Sequence, residues 1–158
     1  SSDEVDSRFV NLKLINNEDW YFYSNYNSKK ARDFLSHSQV SALFYWDVIN
    51  VQIRIKASIT KASKSLSDAH FKKREDHKNA LAISSNQSAE IISHEKIVKN
   101  YISTLENKKK LANRPNYWGG YVFKPYYFEF WEGHDSRINK RNTFLKDGKN
   151  WKHSILQP

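Results

Sequence analysis

At 158 residues and 18.7 kDa the chain is long enough for one ordinary domain and too short for two, and 39% hydrophobic with 15% aromatic content supplies a core that argues against disorder. Lys and Arg number 26 against 17 Asp and Glu, giving a charge of +9 and a pI near 9.6, so anions are the expected ligands. The absence of Cys excludes a disulfide scaffold, Cys-ligated zinc, iron–sulfur clusters and thiol catalysis.

In chain order, Arg8 to Ile15 reads as a strand, Asn16 to Asp19 as a turn, and Trp20 to Ser24 as a second strand closing a hairpin. Ser28 sits in the N-cap position of a short helix, SKKARDFL. Val40 to Asp47 is the most apolar strand, expected to be buried on both faces. After a turn at Val48 to Asn50 comes a long alternating strand in which Val51, Ile53, Ile55 and Ile59 share one face and Arg54 points the other way. A polar helix is expected from about Ser67 and Asp68 to Ile83. A second, amphipathic helix carries Ile91, Ile92, Val98, Tyr101, Ile102 and Leu105 and ends in Lys108 to Lys110, read as a solvated cap. Pro115 breaks the chain before YWGGY. Strands return at Tyr121 to Phe123 and Tyr126 to Trp131, then a hairpin runs to Leu156 around Asp147-Gly148. The fold class is therefore α+β, mainly antiparallel, with a sheet or barrel at its centre.

No apolar run has the length of a membrane span and no signal-peptide pattern opens the chain, so a cytoplasmic location is the expectation. Met is absent and the first residue is Ser1, which predicts that an upstream segment is missing.

Three segments could carry chemistry. Ser24, Ser28, Lys29 and Lys30 surround a helix N-terminus directly after a strand, where free N–H groups and the dipole favour phosphate; a capped surface helix with two solvated lysines explains the same residues. Strict alternation puts Arg8 and Lys13 on opposite faces of their strand, so both reach one ligand only at a strand end or bulge. The glycines of YWGGY permit close backbone approach or a tight turn. From Glu129 to Arg141 a strand ending at Trp131 leads to two arginines, Arg137 and Arg141, with Asn139 between them. These are either bidentate donors for phosphate or a ring carbonyl, or a rim of surface charge. His70, His77, His94, His134 and His153 lack metal-ligand spacing, so no metal is expected. Ser84, Ser85, Gln87 and Ser88 read as helix-capping residues or ligand contacts.

In order, RFVNLK, FYSNYNSKKA, the FYW…VQIRI run, NQS, YWGGY and EFWEG…RINKR, closing with W…LQP, resemble the pyridoxamine 5′-phosphate oxidase family over almost the whole chain. The resemblance implies an FMN-binding split β-barrel with flanking helices, one domain over residues 1–158, acting as a homodimer with FMN at the subunit interface. It implies that Arg8, Lys13, Tyr23, Ser24, Ser28, Lys29 and Lys30 hold FMN from one chain. Gln52, Arg54, Gln87, Ser88, Trp131 and Arg141 complete the flavin site from the other. It further implies that the substrate phosphate meets Lys13, His70, Arg74 and Lys78, and that Arg137 and Asn139 lie beside the substrate ring and orient it.

The chain departs from the family pattern at His70 (Tyr there), Lys78 (Ser), Lys29 (Arg) and Asn139 (His); Asn cannot become cationic. By the same comparison the chain begins where the family's first hairpin turns, so the preceding strand and N-terminal segment are expected to be absent. The implied activity is oxidation of pyridoxamine or pyridoxine 5′-phosphate to pyridoxal 5′-phosphate. Hydride passes from C4′ to the flavin and O2 accepts the electrons, within vitamin B6 metabolism. The alternatives are an FMN split-barrel enzyme with another substrate, a flavin-binding protein without turnover, and a basic nucleic-acid-binding barrel, which would be colourless and salt-sensitive. The first reading predicts no nucleic-acid or membrane partner.

Overall fold

A computed structural model describes residues 5–158. Seven strands among them form one antiparallel sheet: β1 (Leu14–Asn16), β2 (Asp19–Asn25), β3 (Gln39–Trp46), β4 (Val51–Lys61), β5 (Trp118–Glu132), β6 (Lys140–Asp147) and β7 (Asn150–Leu156). The path runs β1-β2-β5-β4-β3, with β6 joined to β5 and β7 to β6.

The fifteen-residue β5 organises everything else. Its N-terminal part, Trp118 to Phe123, pairs with β2 and its C-terminal part, Tyr127 to Glu132, with β6, while β4 lies along Tyr121 to Glu132. Two strands thus take successive stretches of one edge of β5, and the sheet divides there. The register shift at Lys56/Ala57, opposite Pro125, puts an extra residue at this point, where a proline that cannot donate to the ladder is tolerated.

Alternation on β4 behaves as its sequence demands. Ile53, Ile55, Ala57 and Ile59 are buried and join Phe22, Ala31, Tyr121 and Phe123 in the core, with Val51 partly buried against them. The helix α1 (Lys29–Ser36) presses Ala31 and Phe34 onto this core, the Phe34 ring meeting Phe22 and Tyr121 edge-on.

Four expectations change and a fifth is settled. Residues 8–13 are not a strand, although the Lys13 N–H still donates to Tyr21 O at 2.8 Å, so alternation does not separate Arg8 from Lys13. β3 is not buried on both faces: Leu43 and Tyr45 are 62% and 58% exposed, because β3 is an edge strand paired only with β4 and nothing among the described residues covers its outer side. The polar helix is two, α2 (Lys64–Lys73), capped by Ser63, and α3 (Asp76–Ser84), broken at extended Arg74 and Glu75. Ser93 starts α4 (His94–Leu105) after Ile91 and Ile92, and Lys108 to Lys110 belong to a separate turn, α5 (Lys108–Leu111), capped by Asn107. Finally, of the two readings of YWGGY the close approach holds and the turn does not. Gly119 and Gly120 lie inside β5, where a Cβ on Gly119 would overlap the Tyr26 hydroxyl and one on Gly120 would come within 2.9 Å of Ala62 Cβ and 3.0 Å of the Tyr23 ring. Among the described residues no helix is long and apolar enough to cross a membrane.

Candidate functional site

The end of β2 and the start of α1 build a cationic seat. Ser28 occupies the N-cap position, but its hydroxyl donates to Asn25 O at 2.8 Å rather than capping the helix. Lys30 folds back, 8% exposed, and its ammonium donates to Ser24 Oγ at 2.9 Å and Ser28 Oγ at 3.3 Å. Among the described residues no carboxylate ion-pairs with Lys30. Burial first, then the Arg8 charge, push its pKa down to about 8, with Asp6 partly opposing. A buried cation facing two hydroxyls beside a second cation is arranged for an anion.

Gln87 and Ser88 belong to this same cluster. Gln87 Oε1 accepts from Ser24 Oγ at 3.2 Å and from the Asn25 N–H at 3.4 Å, and Arg8 Nη1 approaches Ser88 Oγ at 3.5 Å. Ser88 has φ of +69°, in a turn that aims its side chain back toward Arg8. The expectation that Gln87 and Ser88 group with Gln52 is therefore corrected: the loop after α3 packs against the end of β2. Lys29 ion-pairs with Asp6 at 3.2 Å, and its hydrogen bond holds the Asp6 carboxyl below the ordinary carboxylate range.

Beside this seat, aromatic rings stack. His70 lies parallel to Tyr23 at 3.6 Å between centroids, Tyr23 stacks on Trp118 at 5.5 Å, and the Arg74 guanidinium covers Trp118 at 4.4 Å. Arg74 Nη1 also donates to Asn79 Oδ1 at 3.1 Å, and Asn79 Nδ2 to Phe71 O, which fixes the arginine across the α2–α3 break. Burial, followed by the charges of Arg74, Lys13 and Lys73, drives the His70 pKa down to about 4, so the imidazole is neutral near pH 7. Lys13, His70 and Arg74 thus share one electropositive surface. Lys78 is not drawn in; it closes an i,i+3 ion pair with Glu75.

A second cluster occupies the outer face of the sheet, opposite the core. The strands place Tyr45, Gln52, Trp131, Arg141 and Leu156 in one cross-strand row and Leu43, Arg54, Glu129, Thr143 and Ser154 in the next. Glu129, 2% exposed, binds Arg141 Nε at 2.9 Å, Arg141 Nη2 at 2.8 Å, Arg54 Nη1 at 3.1 Å and the Tyr127 hydroxyl at 3.1 Å. Burial opposes its ionisation, but the Arg141 and Tyr127 hydrogen bonds and the two arginine charges prevail and hold its pKa below the ordinary glutamate value. Glu129 escaped notice in the sequence, although it has the parity of Trp131 in an otherwise apolar strand.

Arg137 and Asn139 lie in the loop joining β5 to β6, on the side of this second cluster. Arg137 has φ of +60° and is exposed, its N–H donating to His134 O at 2.8 Å. The Asn139 side chain closes that loop, Oδ1 accepting from the His134 N–H at 3.0 Å.

From Gly119, opposite Ser24, to Trp131, opposite Gln52, β5 runs about 40 Å of contour. Ser24 shares the core-facing parity of Phe22, whereas Gln52 and Arg54 face outward. The two clusters of one chain thus lie on different sides of the sheet and at different ends of β5.

Two family models match the chain, described as pyridoxamine 5′-phosphate oxidase over residues 4–107 and as the pyridoxine 5′-phosphate oxidase C-terminal dimerisation region over residues 118–158. A pyridoxine/pyridoxamine 5′-phosphate oxidase of Christiangramia forsetii is 38% identical over 154 residues, covering 96% of this chain and 72% of that protein. One of Cytophaga hutchinsonii is 40% identical over 146 residues, covering 90% and 67%. Among solved structures, PhzG of Burkholderia lata, in complex with tetrahydrophenazine-1-carboxylic acid, superposes with a TM-score of 0.89 at 27% identity, covering all of this chain and 78% of that one. A pyridoxamine 5′-phosphate oxidase-related, FMN-binding protein of Nostoc punctiforme has the same fold, with a TM-score of 0.74 at 11% identity over 96% and 79% of the two chains. This chain, with its antiparallel sheet divided along β5 and its basic and hydroxyl side chains gathered where β2 meets α1, belongs to the pyridoxamine 5′-phosphate oxidase family.

Proposed function

We propose that the chain is an FMN-dependent oxidoreductase that converts pyridoxamine or pyridoxine 5′-phosphate to pyridoxal 5′-phosphate, as one split-barrel domain over residues 1–158 working in a homodimer. The observation that carries this is the pairing of two separated clusters: a phosphate seat around Lys30 and an arginine-bearing outer face around Glu129, too far apart along β5 to hold one mononucleotide within a single chain. The cofactor is FMN, and the residues fit it. Lys30 is a buried cation awaiting an anion, with Ser24, Ser28 and Arg8 around it. Gln52, Trp131 and Arg141, side by side on the outer face of a second chain, offer donors and an aromatic edge for the ring system. The match to a dimerisation region over β5 to β7 and the uncovered side chains Leu43, Tyr45, Leu156 and Ile155 support that two-chain arrangement.

FMN, when bound, supplies the acceptor for the hydride leaving the substrate C4′ carbon, with O2 as the final acceptor. The chain's own residues bind and orient. Lys13 and Arg74 attract the substrate phosphate. His70, held flat on Tyr23, adds a neutral ring nitrogen as donor, and Tyr23 with Trp118 forms an apolar wall. Arg137, at the tip of the loop that Asn139 closes, orients the substrate ring. No side chain is asked to act as a nucleophile.

A second reading, a related flavin oxidase with a different substrate, is favoured by one observation. Asn139 stands where the family carries a histidine, and its oxygen is engaged by the His134 N–H. The high structural likeness to PhzG, bound to a phosphate-free tricyclic acid, fits that reading too.

The test is an anaerobic titration of the FMN-loaded protein with pyridoxamine 5′-phosphate, followed by absorbance. The proposal expects the visible absorbance band of the oxidised flavin to bleach and to return on admitting air. A band that persists at saturating substrate contradicts the substrate assignment.

A further inference from the structure

We propose that Glu129 is a positioning residue that fixes Arg54 and Arg141 as a matched pair on the outer face and holds their combined charge at +1, thereby setting the reduction potential of the flavin they face. The inference rests on the reading that FMN lies against this face.

The geometry is specific. One carboxylate accepts from both guanidiniums and from Tyr127, Arg141 in a two-point contact through Nε and Nη2, while Arg141 Nη1 donates to Gln157 O at 2.9 Å. Every Arg141 nitrogen thus has a partner within this chain, and its plane is fixed. Arg54, 45% exposed, retains donors for a ligand. Glu129 itself is 2% exposed and has no direct route to that ligand, so it acts only through the arginines. Its neighbours on β5, Phe128 and Phe130, both turn to the opposite face. Lys56 borders this network as a further cation, its ammonium 5.0 Å over the Tyr127 ring.

Charge on such a face acts on the flavin electrostatically. Two guanidiniums without their counter-ion favour the electron-rich reduced cofactor over the oxidised one. Removing the carboxylate therefore raises the potential, and a tenfold preference for the reduced form corresponds to about 30 mV for a two-electron couple.

The experiment compares FMN-loaded wild type, Glu129→Gln, and the charge-balanced Glu129→Gln/Arg54→Gln, measuring midpoint potential by spectroelectrochemistry and FMN Kd by flavin fluorescence. Glu129→Gln is expected to shift the potential positive by about tenfold in relative affinity for the reduced form, and the double variant to return toward wild type. An unchanged potential in Glu129→Gln with FMN bound overturns the inference and leaves the FMN reading intact. Equal shifts in both variants overturn it as well, since they would mark a packing effect. If the single variant does not fold, the double variant, which removes a cation together with the anion, decides alone: a wild-type potential supports the inference and a displaced one overturns it. A wild-type chain that takes up no FMN overturns the FMN reading and the inference together.

Discussion

Replacing Lys30 with methionine is expected to raise the Kd for FMN by about 10- to 150-fold, the loss of one charge-assisted contact worth roughly 1.5–3 kcal/mol. The same change is expected to raise the melting temperature of the apoprotein. In the apo state the ammonium is buried against two serine hydroxyls and repelled by Arg8, and a methionine of similar length removes that desolvated charge while keeping the packing. Opposite effects on binding and stability distinguish a functional lysine from a structural one. Titration with pH reports the same residue. Its pKa falls from 10.5 unfolded to about 8 in the folded chain, so between these values the unfolded chain holds a proton that the folded chain has released. The cost of burying the ammonium is fully present below pH 8 and is relieved as pH rises toward 10.5, so the stability of the apoprotein rises with pH across that window. FMN phosphate requires the ammonium and is itself a dianion above about pH 6, so FMN affinity is expected to fall about tenfold from pH 7 to 9. Lys30→Met should abolish that dependence; a wild-type affinity flat over the interval would contradict the assignment.

Substituting Leu43 with lysine is expected to leave the chain folded and to separate the dimer. Leu43 is 62% exposed in the single chain, so its own fold asks little of it. It lies on the outer face of edge strand β3, in the same cross-strand row as Arg54, Glu129 and Thr143, and beside the row of Tyr45, Gln52, Trp131 and Arg141. A partner covering that face would bury the new charge, and two-fold symmetry repeats the change. At about 2 kcal/mol per copy, dimer affinity falls on the order of a thousandfold. Sedimentation velocity of the apoprotein measures this without interference from FMN. A variant that sediments as wild type removes β3 from the interface.

Much of this arrangement is legible in the residues themselves. The alternation of Ile53, Ile55 and Ile59 on β4 marked the core face and left Arg54 outside, while the hydroxyl and lysine run from Ser24 to Lys30 left an anion seat and a capped surface helix both open. The family pattern then tied distant segments together, which local periodicity cannot do. What stayed hidden depends on tertiary context. The apolarity of β3 signals burial but not by what, and in the monomer its outer side chains are bare. The glycines of YWGGY were ambiguous because only the fold brings Tyr26, Ala62 and Tyr23 against β5. Gln87 and Ser88 joined the Lys30 seat through a loop closing over sixty residues, a contact that no spacing announces. Glu129 looked like one more strand residue until pairing placed it between Arg54 and Arg141.

A subunit-mixing titration tests the two-chain site most directly. Lys30→Met disables the phosphate seat and Arg141→Met the outer face, so each homodimer carries two impaired sites. After equal amounts are mixed and subunits exchange, half the dimers are mixed, and each of these has one site built from two intact faces. About one quarter of all sites should then bind FMN with wild-type affinity. If the mixture binds no better than either parent, one chain does not borrow the other's face, and the shared site is contradicted.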